Sequence, residues 1–257
     1  MEILCTNDDG VLSPGLAAAV EAARELGNVS IAAPSDQKTG AGRSLIGDRT
    51  RPFSRTEIPV GNGKASAWHL DGTPALVVRH ALSTVLRDRK IDLAISGINY
   101  GENLAYDISN SGTVGAAMEC AAWGVPAIAV SLQTKLDGHR TYAHMDWKAV
   151  QFFLKMFIRR FVEKRRFSGF DILKIDVPID ADERTEWKVC SLQLSPYYLT
   201  RLKREADDAV IADASLYTDV TQFAPGTDAY VLAVEKKVAV TPLILDWTAR
   251  DTGHFFT

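Results

Sequence analysis

Short apolar runs in the first half of the chain alternate with segments that have the composition of helices. The runs at 3–6 and 29–33 are too short for helices and end at polar or turn-forming residues, so they predict buried strands. The same pattern predicts further strands at 65–70, 91–96 and 127–132. Residues 34–64 are rich in Gly, Ser, Thr, Arg and Pro and predict a long loop with room for a hairpin.

Helices are predicted between these strands, at 14–26, 73–86 and 113–123. The second begins with Thr73-Pro74, an N-cap residue followed by proline at the first helical position. Strands and helices that alternate in this way are typical of a doubly wound, mostly parallel sheet. The predicted fold class is therefore α/β.

The second half of the chain follows a different pattern. Residues 147–164 predict a long amphipathic helix, and Gly226-Thr227-Asp228 predicts the start of a short one. Strands are predicted at 172–177, 188–194, 210–212 and 238–243. We interpret this part as a smaller α+β extension used in oligomerisation, because the apolar run 238–247 and Phe255-Phe256 exceed what a monomer surface normally exposes.

Composition excludes several classes of protein. Hydrophobic residues make up 46% of the chain, charged residues 24%, and the net charge is −3, which is a globular balance with no electrostatic case for binding nucleic-acid polymers. No apolar run reaches the roughly 18 residues of a membrane span, and no cleaved signal peptide is expected. Cys5, Cys120 and Cys190 are widely spaced, so we expect inert core residues and a cytoplasmic protein.

Three polar segments follow predicted strands of the parallel half. They are Asn7-Asp8-Asp9-Gly10, residues 34–44, and residues 96–103 continuing to 113. The carboxyl ends of the strands of a right-handed β-α-β sheet lie at one edge, where open α/β folds bind ligands. We therefore expect the three segments to converge.

Oxygen ligands dominate these segments. Asp8 and Asp9 would repel each other, and a hard divalent cation is the usual compensation. Thr39 or Ser44 offers a hydroxyl and Asn99 an amide oxygen, a set that suits Mg²⁺, Mn²⁺ or Ca²⁺ and does not suit zinc. Asp-Asp-Gly alone is more often a turn, and Asn99 could serve a left-handed turn, but their joint occurrence at strand ends favours a site.

The same segments offer a place for an anion. Gly40 lets backbone N–H groups approach closely, and Ser111-Gly112-Thr113 at a helix start adds free donors and a positive dipole end. A plain helix cap is the competing interpretation of the second motif. A cation beside a phosphate seat, without a Ser-His pair or a reactive thiol, predicts metal-assisted hydrolysis of a phosphoester.

At these residues the sequence resembles the SurE family, the stationary-phase survival protein nucleotidases. The likeness is dense to about residue 132 and thinner from there to about 225. The matching segments are 3–10, 13–15, 33–40, 96–103, 111–114, 124–131, 226–228 and 240–243.

The resemblance implies a divalent-metal-dependent phosphatase, with Mg²⁺ or Mn²⁺ as the expected cofactor, that acts on 5′- and 3′-nucleoside monophosphates and in some members on polyphosphate. It implies one domain over 1–257, with a three-layer, Rossmann-like α/β/α core at 1–132. Residues 133–257 would exchange elements between subunits of a homodimer or homotetramer. Carried over, Asp8, Asp9 and Asn99 would be metal ligands. Asn103 would border the site, and Ser111, Gly112 and Thr113 would lie around the phosphate.

One departure concerns Thr39, because family members usually carry serine there as a metal ligand. Threonine keeps the hydroxyl and restricts its rotamers, so we expect ligation to survive. Asp8 or Asp9 would hold the attacking water as a base, and an aspartyl-phosphate intermediate is the competing mechanism. A nucleotide- or metal-binding regulatory module with little turnover is the alternative from another functional class.

Overall fold

The computed structural model describes residues 1–134, 142, 144–164, 167–202, 211–216 and 220–248, with the backbone alone for 199–202 and 211–216. Within these residues, no helix is long and apolar enough to cross a membrane.

The core of the fold is a nine-stranded, mostly parallel sheet. Its strands, in chain order, are β1 (Glu2–Thr6), β2 (Asn28–Pro34), β3 (Ser54–Val60), β4 (Gly63–Leu70), β5 (Leu93–Tyr100), β6 (Ala127–Leu132), β7 (Ile172–Val177), β8 (Trp187–Val189) and β11 (Val238–Leu243). The spatial order is β3-β4-β2-β1-β5-β6-β7-β11-β8. Strands β9 (Tyr198–Leu202) and β10 (Ile211–Leu216) form a separate antiparallel pair.

Helices cover both faces of the sheet, which confirms the α/β class. The helices are α1 (Pro14–Arg24), α2 (Pro74–Ser83), α3 (Gly112–Ala122), α4 (Lys148–Lys164) and α5 (Asp228–Ala233). Successive side chains of β1 point to opposite faces: Ile3 and Cys5 join the core formed with α1 and α4, whereas Leu4 joins the core formed with α2 and α3. Burial on both faces explains why β1 has no alternation of polar and apolar residues.

The chain switches direction across the sheet at β1. From β1 it moves outward to β2 on one side, and later returns to β5 on the other side; both neighbours run parallel to β1. A crevice forms at the carboxyl ends of the strands at such a switch point. The segments after β1 and at the end of β5 therefore face the same crevice.

Several predicted element boundaries are wrong. β4 begins at Gly63, within the predicted loop 34–64, and β5 continues past the predicted strand end at 96 to Tyr100. The hairpin expected within 34–64 is confirmed, because β3 pairs antiparallel with β4. The strand predicted at 188–194 ends at Val189, and β9 was not predicted. Thr73 is the N-cap residue of α2, but its hydroxyl donates to the Ser44 carbonyl at 2.5 Å and does not cap the helix.

The C-terminal apolar run is not the exposed surface that the sequence pattern predicts. Val238–Leu243 is a largely buried strand of the main sheet, between β7 and β8. Among the aromatic and large aliphatic residues just after it, Ile244 and Trp247 are exposed. Phe255-Phe256 lies outside the described residues. Cys5, Cys120 and Cys190 are buried free thiols, as predicted.

A buried group of three charges joins the second half of the chain to the first. Lys174 on β7 lies 2.5 Å from Asp176 and 3.2 Å from Asp228 at the start of α5, and all three side chains are almost fully buried. The carboxylates also accept backbone N–H groups, Asp176 from Asn103 and Asp228 from Ala105, and Lys174 donates to the Asn103 carbonyl. The ion triad therefore fixes the turn that follows β5.

We predict that Lys174→Met destabilises the protein strongly, because two carboxylates would remain buried without their cation. Breaking a buried ion pair from one side costs about 3–5 kcal/mol, which lowers the melting temperature by about 10 °C in a chain of this size. Lys148→Met removes a cation from an exposed, 4.0 Å pair with Asp146 and is the matched control. Equal melting temperatures for the two variants in a thermal unfolding assay would contradict the role of the triad.

Candidate metal and phosphate site

A cavity of about 300 Å³ opens at the switch point of the sheet, at the small end of the range for ligand pockets. The three polar segments converge there, as their positions after the strands predict. Of the predicted site residues, the following line the cavity: Asp8, Asp9, Thr39, Gly40, Asn99, Asn103 and Ser111.

The turn after β1 presents both carboxylates to this cavity. Gly10 has a φ of +101°, a conformation that L side chains rarely adopt, and a Cβ there would lie 3.0 Å from the Asp36 backbone. Asn7 donates its side-chain amide to the Gly10 carbonyl, and the Lys38 N–H donates to the Asp8 carbonyl at 2.7 Å. The Asn-Asp-Asp-Gly turn and the loop after β2 are thus held together by backbone contacts.

Asp8 packs directly against the start of α3. The Thr113 hydroxyl donates to Asp8 Oδ1 at 2.5 Å, and a Cβ at Gly112 would lie 2.6 Å from the Asp8 Cβ. Thr113 is fully buried behind the carboxylate, and neither Gly112 nor Thr113 lines the cavity itself. In the structure, Thr113 therefore contacts the Asp8 carboxylate, whereas the sequence analysis predicts that it lies beside a phosphate.

Asp9 is held by groups from three other segments. Its Oδ1 accepts from the Gln37 side-chain amide at 3.1 Å and its Oδ2 from the Tyr100 N–H at 3.2 Å. The Tyr142 hydroxyl donates to the Asp9 carbonyl at 2.7 Å. All of these donors are neutral, so they orient the carboxylate without cancelling its charge.

Burial makes it unfavourable for Asp8 and Asp9 to carry a negative charge. Asp8 is 6% and Asp9 3% exposed. Burial raises the pKa of Asp8 to about 6, against the lowering effect of the Thr113 hydrogen bond. Burial, and then repulsion by Asp8, raises the pKa of Asp9 to about 8. Both carboxyl groups therefore resist ionisation. A positive charge nearby would favour their ionised form, and the described side chains do not supply one.

The remaining predicted ligands occupy neighbouring walls. Asn99, near the end of β5, donates Nδ2 to the Gly101 carbonyl at 2.7 Å, which turns its amide oxygen away from that carbonyl. Thr39 and Gly40 lie on the loop after β2, which is anchored by the Gly42 N–H donating to the Asn110 carbonyl at 2.9 Å. The alternative hydroxyl, Ser44, donates to the Ala41 carbonyl and is not among the residues that line the cavity.

Asn103 and Ser111 are tied into the scaffold while they line the cavity. Asn103 donates its amide to the Ser131 hydroxyl at 2.9 Å, and its backbone is held by the ion triad. Ser111 is the N-cap of α3, and its hydroxyl accepts from the Val114 N–H. The plain capping interpretation of Ser111 is therefore correct for its side chain.

The sequence analysis missed several residues of the cavity wall. They are Gln37, Tyr100, Glu102, Leu104, Asp107, Asn110 and Tyr198. Gln37 and Glu102 lie inside the polar segments that were singled out, and their positions at strand ends were the available signal. Tyr198 comes from the second half of the chain, where no local pattern points to this cavity.

The chemistry of the donor set fits a hard cation. Among the described residues there is no group of three or more His, Cys, Asp or Glu side chains arranged for a metal. The two carboxylates here are accompanied by a hydroxyl and an amide, so all the candidate ligands are oxygens. Such a set is typical of Mg²⁺, Mn²⁺ or Ca²⁺ sites.

We predict that Asp9→Asn stabilises the protein when divalent cations have been removed with EDTA. The folded-state pKa of both carboxyls is raised above the unfolded value near 4, so folding takes up protons and stability falls as pH rises from about 4 to about 8. The asparagine removes one of these costs. Its melting temperature should exceed that of wild type by several degrees at pH 8 and by much less at pH 5, and the exposed Asp88→Asn should show no such difference.

An Asp9→Asn melting temperature that follows wild type at both pH values would show that the carboxylate is not held unpaired in the folded protein.

Comparisons with known proteins agree with this architecture. The family model described as Survival protein SurE matches residues 3–198. A 5′-nucleotidase SurE of Thermococcus gammatolerans is 40% identical, covering 97% of this chain and 92% of that protein. That of Thermococcus kodakarensis is 39% identical, covering 97% and 95%. The crystal structure of the SurE protein from Aquifex aeolicus matches with a TM-score of 0.76 at 28% identity, covering 96% and 95%. The chain therefore belongs to the SurE family.

Proposed function

We propose that this protein is a divalent-metal-dependent phosphatase that hydrolyses nucleoside monophosphates. The observation that carries the proposal is the buried Asp8-Asp9 pair, which lines one cavity with Thr39 and Asn99 and has no cationic side chain bonded to it in the described residues. The relatives called 5′-nucleotidase SurE, which align over almost the whole chain, support the substrate class.

Asp8, Asp9, Thr39 and Asn99 would hold the cation. When bound, a cation of this kind polarises a phosphoryl oxygen and lowers the pKa of water, and Mg²⁺ or Mn²⁺ suits the oxygen ligands. Thr39 keeps the hydroxyl that such ligation needs. The neutral partners of both aspartates leave their negative charge available to the cation, since none of them forms an ion pair.

The remaining residues of the cavity would position the substrate. The loop with Gly40 and the start of α3 at Ser111 form one wall, where first-turn N–H groups favour a phosphate. Asn103, fixed by Ser131 and the ion triad, also lines the cavity. Either aspartate would serve as the base that accepts a proton of the attacking water. Asp8 Oδ1 accepts from the Thr113 hydroxyl, and the two Asp9 oxygens accept from Gln37 and Tyr100.

A regulatory module that binds nucleotide without turnover remains the competing function. It would use the same cavity and the same cation, so binding alone does not separate the two. Catalysis needs the carboxylates during the reaction, whereas binding needs them mainly as ligands. Phosphate release is therefore the deciding measurement.

We predict that the protein releases phosphate from AMP only with Mg²⁺ or Mn²⁺, and that Asp8→Asn lowers kcat/KM by at least about a thousandfold because a ligand and its charge are lost. The matched control is Asp88→Asn, an exposed carboxylate at the opposite end of the strands. Activity within about threefold of wild type for Asp8→Asn would defeat the assignment. Tight AMP binding by wild type without release would favour the regulatory module.

We also propose that the protein is a homodimer or homotetramer. Apolar side chains, among them Leu194, Ile244 and Trp247, line an open groove of about 670 Å³, and all three are exposed. Surfaces of this kind are typical of interfaces between subunits.

We expect light scattering during size-exclusion chromatography to give at least twice the 28.1 kDa chain mass at micromolar concentration. Leu194→Asp should shift the protein toward the monomer, because it places a charge in the apolar groove. The exposed Val162→Asp on α4 is the control. A monomeric mass for wild type would contradict this proposal.

A further inference from the structure

Residues from both halves of the chain line the cavity. Asp8 and Asp9 come from the turn after β1, and Tyr198 lies at the start of β9. Tyr198 is the aromatic contribution of the C-terminal part to this cavity among the described residues. A substrate whose phosphate binds near the carboxylates would therefore have its remaining part within reach of residues from both halves.

Contacts at the backbone, the hydroxyl and the ring hold Tyr198 in place. Its N–H donates to Asp107 Oδ2 at 3.1 Å, and its hydroxyl donates to the Glu102 carbonyl at 3.2 Å. Its ring lies edge-on against Tyr197, with centroids 5.0 Å apart. A side chain fixed at both its backbone and its hydroxyl loses little conformational entropy when a ligand binds against it.

Tyr197 reinforces the same arrangement from behind. It is buried, its N–H donates to the same Asp107 oxygen, and its hydroxyl donates to Glu102 Oε1 at 2.8 Å. The Tyr197-Tyr198 pair is thus bonded to the segment after β5 at four points. These four bonds fix this part of the cavity wall to the segment after β5.

The other tyrosines near the site are placed differently. The Tyr100 ring packs against Tyr142 and Trp147, with centroid distances of 6.0 and 5.1 Å. Tyr106 is 47% exposed and lines the separate apolar groove with Trp247. Tyr100 also lines the cavity, but its ring is packed against two other aromatic rings, and Tyr106 lines a different groove. Among the described residues, Tyr198 is the tyrosine that the second half of the chain contributes to the cavity.

We propose that Tyr198 forms the subsite for the base of a nucleoside monophosphate and so determines the preference for nucleotides over simple sugar phosphates. This inference rests on the proposed function. An aromatic ring stacks on any base because every base has a π face, so the subsite favours nucleotides as a class.

The test compares two substrates that share a phosphoester and differ in the base, AMP and ribose 5-phosphate, in the presence of Mg²⁺ or Mn²⁺. In Tyr198→Ala, the ratio of kcat/KM for AMP to that for ribose 5-phosphate should fall by about tenfold, within the range that base–aromatic stacking contributes. Tyr198→Phe retains the ring and should restore most of the ratio. Tyr106→Ala, in the separate groove, should leave the ratio at the wild-type value.

The outcomes separate this inference from the function on which it rests. If wild type releases phosphate from both substrates but Tyr198→Ala keeps the wild-type ratio, the subsite is wrong and the phosphatase stands. An equal loss of activity on both substrates would give Tyr198 a purely structural role and would also overturn the subsite. If wild type releases phosphate from neither substrate, the proposed function itself fails.

Discussion

The burial of two adjacent carboxylates at the end of the central strand is the constraint on which the site depends. Asp8 and Asp9 are placed where water is scarce, and each is oriented by neutral donors from a different segment. Gly10 and Gly112 provide the backbone freedom and the space that this crowding requires. Burying the two carboxylates lowers the stability of the folded chain, and a bound cation would offset this loss. Functional sites often lower the stability of a protein in this way.

The topology of the sheet explains why so few segments suffice to build the site. β1 has parallel neighbours on both sides, so the polar segments that follow β1, β2 and β5 all lie at the carboxyl edge of the sheet. Backbone hydrogen bonds join these three segments. The second half then adds two things that the parallel core lacks. The ion triad of Lys174, Asp176 and Asp228 fixes the turn after β5, and Tyr198 extends the cavity wall.

The sequence predicts the parts of this structure that depend on local pattern. Short apolar runs ending in Asp-Asp-Gly or Ser-Gly-Ile-Asn indicate strands and a shared polar edge, and the structure confirms that convergence. It does not predict partners that are distant in sequence. Lys174 and Asp176 lie two residues apart on β7, but nothing in the local pattern indicates that Asp228, more than fifty residues later, packs against Lys174. The apolar strand Val238–Leu243 was misjudged for the same reason, because periodicity does not tell whether a neighbouring strand covers it.

The ion triad also has a consequence for the order in which the chain is made. The carboxylates and the three polar segments leave the ribosome early, but the turn that carries Asn103 is held by Asp176 and by Asp228, which is synthesised more than a hundred residues later. A nascent chain that has passed the parallel core therefore still lacks the contacts that set one wall of its cavity. Assembly of the site is a late event of biosynthesis, and a chain truncated before α5 would carry all the predicted ligands without their final geometry.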